Sequence, residues 1–269
     1  LFHEMLGLGL NWEVKECEFD RKEGVVRLRV AETRHLWENE RSPEIGAKVE
    51  CYDHTEEMVW RHLNVFEHKC EVRCELPRGK CLQSGKVYRV RPPWEGLSKH
   101  FTQSFEAMAL LLMREMSVSA AGRMMKEHDT RLWRILKAHV EVAYRQTDWS
   151  EVISVGCDEL SARKGHRYVS VFCDLIGKRV MFATKGKDKS VWKAFAEALE
   201  AHNGHPRAIK EISMDMSPAY ISGAKANIGS QAEIVFDKYH VIAHVNQAVD
   251  AVRRAEMRFG QREAREALK

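Results

Sequence analysis

The chain has 269 residues, with 43 Lys and Arg against 39 Asp and Glu, for a formal net charge of +4. That balance permits a nucleic-acid partner without demanding one, and the length accommodates two or three domains with a sizeable core in at least one. Seven cysteines without regular pairing argue against a secreted disulfide scaffold and for a reducing compartment. No apolar run approaches the roughly 20 residues of a membrane span. The start, Leu1 to Leu8, is too short and interrupted for a signal peptide and carries no initiator Met, so a soluble intracellular protein, read as a piece of a longer chain, is expected.

Residues 1–41 begin with a short helix within Leu1–Leu10, Phe2, Leu6 and Leu10 on one side. A β-hairpin follows, with Trp12–Phe19 and Val25–Val30 alternating apolar and polar around Asp20–Gly24. Ser42-Pro43 reads as a boundary. Residues 42–98 form a second small unit with Cys51, Cys70, Cys74 and Cys81, histidines 54, 62 and 68, and strand-like pieces at Val65–Leu76 and Lys86–Val90. A structural zinc site wants two closely spaced ligand pairs, and Cys51-Tyr-Asp-His54 is the one such pair at that spacing. Cys70 and Cys74 offer a looser second pair; buried free thiols are the competing reading. The strip from Arg73 to Lys99 carries Arg73, Arg78, Lys80, Lys86, Arg89, Arg91 and Lys99 against Glu75 and Glu95. It either tracks a phosphate backbone or is a solvated face.

Residues 99–149 read as all helix. Phe101–Met116 repeats Phe101, Phe105, Met108, Leu112 and Met116 at helical spacing, Ser117 and Ser119 offer N-caps for Ala120–His128, and Asp129-Thr130 caps Arg131–Tyr144. The third helix bears Arg131, Arg134 and Lys137. This is the pattern of a helix-turn-helix whose last helix enters the major groove, or of a plain three-helix packing module.

From residue 150 the order is strand, strand, strand, helix, strand. The strands are the run ending in Gly156-Cys-Asp158-Glu-Leu160, then Arg167–Leu175 and Arg179–Thr184, with Gly177-Lys178 at the turn between them. Ser190–Ala201 is the helix, and Ile212-Ser-Met-Asp215 the next strand. Ser217-Pro218 opens another helix, Ala232–Phe236 is a fifth strand ending at Asp237-Lys-Tyr-His240, and Val241–Met257 is a helix with Val245, Val249, Val252 and Met257 facing inward. Asp158 and Asp215, on neighbouring strands, are candidate ligands of divalent metals that cut or join phosphodiesters. The alternative is two ordinary strand-end residues. Glu159 is expected on the opposite strand face from Asp158.

The chain resembles the ISL-three family of bacterial insertion-sequence transposases, of the DDE type. The phrases carrying this are Trp60-Arg-His-Leu63, Pro77-Arg78 before Cys81, Pro93-Trp94 and Phe101-Thr102; then Asp158-Glu159 with Lys164-Gly-His166-x-Tyr168, Asp174-Leu175, Asp215-Met-Ser-x-Ala219-Tyr220, Asp237-Lys-Tyr-His240 and Val252-Arg-Arg254. The resemblance implies an α/β multidomain fold. A zinc-ribbon-like module over 42–98 and a helix-turn-helix over 99–149 would precede an RNase H-like mixed sheet with helices over 150–269, incomplete at its C-terminus. It implies a bacterial cytoplasmic enzyme, associated with the nucleoid, that binds terminal inverted repeats of double-stranded DNA as a homo-oligomer. Cleavage and strand transfer would use two Mg²⁺ ions held by Asp158, Asp215 and a distant Glu. DNA contacts fall to Arg131, Arg134, Lys137, Arg78 and Lys80.

Two departures stand against that pattern. The Cys-Pro-x-Cys-Gly phrase of the zinc module is here Ser42-Pro43-Glu44-Ile45-Gly46, and the closing pair is Cys81-Leu-Gln-Ser84. Cys81 is the one remaining ligand, so zinc is not expected there; Cys51, His54, Cys70 and Cys74 are the substitute set. The family's third acid lies in a stretch that this sequence does not contain. Asp250 is the in-chain nominee, with Glu159 a weaker one. Lys164 and His166 either touch the scissile phosphate or solvate the loop, and His240 either joins the site or caps a helix. The alternative function is a catalytically inactive DNA-binding remnant.

Overall fold

The computed structural model describes residues 1–163 and 167–267. They divide into two compact units, Leu1–Tyr144 and Arg145–Lys269.

The first unit opens with the short helix α1 (Phe2–Met5) and is built on a five-stranded sheet. Strand β1 (Trp12–Asp20) and β2 (Val25–Glu32) form the expected hairpin. Its turn is held by Asp20, whose carboxylate accepts the Lys22 and Glu23 amides, and by Gly24 at φ +65°. After α2 (Arg34–Asn39) come β3 (Val49–Val65), β4 (His68–Cys81) and β5 (Val87–Arg89). The order is β1-β2-β4-β3, with β5 also on β4. Because β2 pairs in parallel with β4 through Val25↔Lys69 to Arg29↔Arg73, the expected separation at Ser42-Pro43 is overridden: residues on both sides share one sheet. The core gathers Trp12, Leu28, Trp60, Val72, Leu76 and Trp94, with the Trp12 and Trp60 rings edge-on to Trp94 at 5.1 and 5.8 Å.

The long strand β3 was not legible in sequence. Its first half is largely exposed, and its pairing with β4 shifts register at three points, so no sustained period-2 apolar pattern marks it.

Two turns at the end of this sheet mirror each other. Gly46 donates to the Ser42 carbonyl at 2.8 Å with φ +67°, and Gly85 donates to the Cys81 carbonyl at 2.9 Å with φ +69°. Ser42 and Cys81 are both buried, and the Ser84 amide donates to the Cys81 sulfur at 3.5 Å. The Ser42–Gly46 and Cys81–Gly85 stretches are therefore folded as two similar turns. The Ser84 hydroxyl and amide, then the Gln83 amide and Ser42, pull the Cys81 thiol down to about 7.

Three helices complete the unit: α3 (Gln103–Glu115), α4 (Val118–Met125) and α5 (Asp129–Gln146). The Thr102 and Ser117 hydroxyls accept the amides of Phe105 and Ala120, each at 3.3 Å, as N-caps. Ser119 does not cap; it accepts from Arg123 at 3.1 Å. The second helix ends at Met125 rather than His128 because Lys126 takes the left-handed conformation, φ +53°. Phe101, Phe105, Ala109, Ala121, Leu132 and Ile135 form the bundle core.

The second unit has strands β6 (Ser154–Arg163), β7 (Arg167–Asp174), β8 (Arg179–Lys185), β9 (Glu211–Met214) and β10 (Glu233–Phe236), in the order β10-β9-β6-β7-β8. The β6-β7 and β7-β8 pairs are antiparallel; β6-β9 and β9-β10 are parallel. Helices α6 (Ser190–Ala201), α7 (Pro218–Asn227) and α8 (Lys238–Ala267) provide the crossovers and the last element, as parallel neighbours require. Phe172 stacks on Phe195 at 4.3 Å, with Trp192, Leu199 and Tyr220 buried beside them. Asp174 accepts the Ile176 and Gly177 amides and Arg179 Nε, while Lys178 takes φ +50°, so the Asp174-Leu175 phrase builds the hairpin turn. On α8 the inward face expected from periodicity is instead exposed: Val245, Val249, Val252 and Met257 are 55–62% accessible. Helical spacing marks a face that is able to be buried; it does not supply the surface that covers it.

Candidate active site

The parallel half of the second sheet places its acids by register. Cys157 on β6 pairs with Met214 on β9, and Met214 pairs with Phe236 on β10. The residue after each of these is an aspartate: Asp158, Asp215 and Asp237. All three line one cavity of about 290 Å³, with Gly156, Cys157, Cys173, Ser213 and Met214 among its other walls. The carboxyl ends of parallel strands, beside the point where the sheet changes direction, are the usual ligand-binding edge of such sheets.

Local structure fixes each carboxylate. Asp158 accepts the Glu159 amide at 2.7 Å and Asp215 the Met216 amide at 2.6 Å. Asp237 donates its own amide to the Met214 carbonyl at 3.0 Å and accepts the Tyr239 amide at 2.8 Å, capping α8. Asp158 is exposed and Asp215 half-buried. Burial pushes the neighbouring thiols of Cys157 and Cys173 up, so they stand as neutral groups in a wall that offers carboxylate oxygen, the donor of hard divalent cations.

Sequence reading nominated Asp158 and Asp215 but gave Asp237 no role at the site, recording it as a strand end and within the family phrase Asp237-Lys-Tyr-His240. The signal was present: the fifth strand closes on an aspartate, as do the first and fourth. Asp250 is not among the cavity residues; it lies half-buried on α8, ion-paired with Arg253 and Arg254 at 2.7 Å each. Glu159 is not among the cavity residues. Lys164 and His166 lie outside the described residues, as does the side chain of His240.

The basic candidates separate in the same way. On α5, Arg134 and Lys137 are exposed, with Lys137 3.7 Å from Glu141. Arg131 is held internally, paired with Glu127 at 2.9 Å and lying 4.5 Å over the Phe101 ring. In the sheet, Arg78 forks onto Asp53, while Lys80 is half-buried. Arg73 pairs with Glu57 and Glu71, Lys86 with Glu44, and Arg89 and Arg91 with Glu95. Much of the strip is thus neutralised within the sheet. Cys51 and His54 are brought together, but with Glu32 rather than with Cys70 and Cys74, whose thiols are buried and pushed up to about 12.

Comparison with known proteins places two stretches of this sequence among transposases. Residues 155–269 match the DDE domain model described as "Transposase", and residues 98–140 match the "Helix-turn-helix domain of transposase family ISL3". The transposase for insertion sequence element IS1001 of Bordetella parapertussis is 30% identical over 194 residues, 72% of this chain and 47% of the relative. That for IS1557 of Mycobacterium tuberculosis is 26% identical over 268 residues, 94% of this chain and 57% of the relative. This chain belongs to the ISL3 family of transposases. It spans about half the length of the curated relatives it matches. A chain in the solved simian T-cell lymphotropic virus intasome with PP2A regulatory subunit B56 gamma matches 48% of this chain and 51% of its own at 14% identity, with a TM-score of 0.25, too low to bear on the fold. No helix among the described residues is long and apolar enough to cross a membrane.

Proposed function

We propose that the second unit is an RNase H-like catalytic core and that this chain acts in metal-dependent cleavage and joining of DNA at terminal inverted repeats. The observation that carries the proposal is the placement of Asp158 and Asp215 by strand register on the wall of one cavity. The sheet order, with an antiparallel hairpin on one side of β6 and two parallel strands on the other, supports the RNase H-like assignment. The two similar turns at Ser42–Gly46 and Cys81–Gly85 support a zinc-ribbon ancestry for the end of the first sheet.

The donor set fits a hard divalent cation, with Mg²⁺ as the expected ion: the candidate ligands are carboxylates, and they converge from three strands. Asp158 and Asp215 would hold the metal pair, and Asp237 is the third carboxylate on the same wall. Two ions roughly 4 Å apart need ligands spread wider than one ion does. When bound, the metals supply charge stabilisation at the scissile phosphate and lower the pKa of the attacking water or 3′-hydroxyl. The protein's own part is positional. The following amides orient the Asp158 and Asp215 carboxylates, and the Asp237 carboxylate is fixed by the start of α8. DNA would be held through α5, where Arg134 and Lys137 face solvent, with at least two subunits needed for two ends.

Nicking of a supercoiled plasmid bearing the terminal repeats, with Mg²⁺ or Mn²⁺, tests the reading. Nicking that disappears in Asp215→Ala supports it. Repeat-specific binding without nicking in either metal would assign the chain instead to a DNA-binding remnant.

A further inference from the structure

We infer a second metal site, chemically unlike the aspartate cavity, on the first sheet: Glu32, Cys51 and His54 form an open three-ligand centre for a borderline-soft divalent cation such as Zn²⁺. Among the described residues, this is the one set of three or more potential ligands whose donor atoms all lie within 4.8 Å of one another.

The fold builds the set from separate strands. Glu32 ends β2, while Cys51 and His54 lie on β3, with β4 running between the two strands. Cys51 and His54 are three residues apart, a spacing that points side chains to opposite faces of a regular strand. Here the β3-β4 pairing is irregular between Cys51 and Asp53, where Cys51 faces Gly79 and Asp53 faces Arg78. That extra residue brings Cys51 and His54 onto one face, and bulges are a common device for re-aiming a side chain at a site. His54 Nε2 already lies 2.6 Å from Glu32 Oε1.

The donors are a thiol sulfur, an imidazole nitrogen and a carboxylate oxygen, the three ligand types zinc uses, at about 2.0–2.3 Å from the ion. Tetrahedral geometry at those bond lengths separates donors by about 3.3–3.8 Å. The His54–Glu32 pair, now at 2.6 Å, would open to that separation, and Cys51 starts within 4.8 Å of both. Cys51 is exposed and His54 partly so, which gives the ion an entry path. Glu32 and His54 also line a pocket of about 320 Å³ with Lys15, Arg29, Glu57 and Glu75, leaving room for a water or an exogenous ligand at the fourth position. The site is separate from the Ser42 and Cys81 turns, which lack the donors for a metal.

Cobalt titration of the reduced, chelator-treated chain tests this. Co²⁺ should bind with one-to-one stoichiometry at this site and give a thiolate-to-metal charge-transfer band that Zn²⁺ displaces. Cys51→Ser should abolish the band, and His54→Ala or Glu32→Gln should weaken binding at least tenfold. Cys81→Ser, and the double variant Asp158→Asn with Asp215→Asn, should leave the band unchanged. Absence of a band in the parent chain, its persistence in Cys51→Ser, or its loss in Cys81→Ser would overturn the site. Cys51 and His54 are exposed and Glu32 is half-buried, and a circular-dichroism melt confirms that each variant is folded.

Discussion

The guanidinium of Arg61 donates to the carbonyl of Met125 at 3.0 Å, so a residue of the long strand β3 satisfies the end of the second helix of the helix-turn-helix. The same side chain reaches the Cys70 carbonyl at 3.3 Å, lies over the Phe105 ring at 5.1 Å and faces Glu127 at 3.9 Å, all nearly shut off from solvent. The Trp60-Arg-His-Leu63 phrase is thus a joint between sheet and helices. Truncating a buried, multiply bonded cation leaves carbonyls and a carboxylate uncompensated, at a cost of about 3–5 kcal/mol. Arg61→Ala should lower the denaturant midpoint accordingly, and Arg61→Lys should recover little of it, since a point charge cannot reproduce the fork. Equilibrium unfolding of both variants measures the loss.

His62 makes the same joint pH-sensitive. Its Nδ1 lies 2.9 Å from the Thr102 hydroxyl that caps α3, and burial, then the Arg61 charge, depress its pKa from 6.5 to about 4. A folded-state pKa below the unfolded one contributes stability that is complete above pH 6.5 and is lost as pH falls toward 4. The contribution is roughly 3 kcal/mol from the size of the shift. Melting temperature should therefore fall across that window, and His62→Gln, which keeps a hydrogen-bonding group without titrating, should flatten the dependence.

Cys81 works in the opposite region of pH. Hydrogen bonds from Ser84, Gln83 and Ser42 hold its folded pKa at about 7, below the ordinary 9. The stabilisation from the bonded thiolate is full above pH 9 and is lost as pH falls through 7. Cys81→Ser should remove a rise in melting temperature between those values. The triple variant Ser42→Cys, Ile45→Cys and Ser84→Cys should take up one equivalent of Zn²⁺ and melt higher with it, because the two turns are already formed. Failure to bind zinc by a folded triple variant would count against a zinc-ribbon ancestry.

Asp237 can be tested apart from its structural role. Asn is as good an N-cap as Asp, so Asp237→Asn should keep the bond to the Tyr239 amide and shift stability by under about 1 kcal/mol. Mn²⁺ affinity, followed by electron paramagnetic resonance, should nevertheless fall at least tenfold, as it should in Asp158→Asn. Normal Mn²⁺ binding by Asp237→Asn, with loss in Asp158→Asn, would remove Asp237 from the ligand set and leave the other two in place.

How much was legible in sequence follows from what each segment buries. Strands β7 and β8 and helix α6 put apolar residues at regular spacing around Phe172, Trp192 and Phe195, and their limits read almost residue by residue. The β3 strand failed because its stability comes from pairing with β4, a non-local partner that no local pattern announces. The break at Ser42-Pro43 failed for the same reason: the parallel β2-β4 pairing joins residues about 44 positions apart. At the site, Asp158 and Asp215 were found through their apolar strands, whereas Asp237 needed the register to tie it to them. Arg131 shows the reverse limit: a cation on the right helix face can be spent internally, here on Glu127 and Phe101.

The three aspartates of the cavity come from strands separated by about 80 residues of chain and two helical crossovers. No shorter stretch brings the three carboxylates to one wall, so under the proposed metal-binding role the set is complete only once β10 has been made and has docked beside β9.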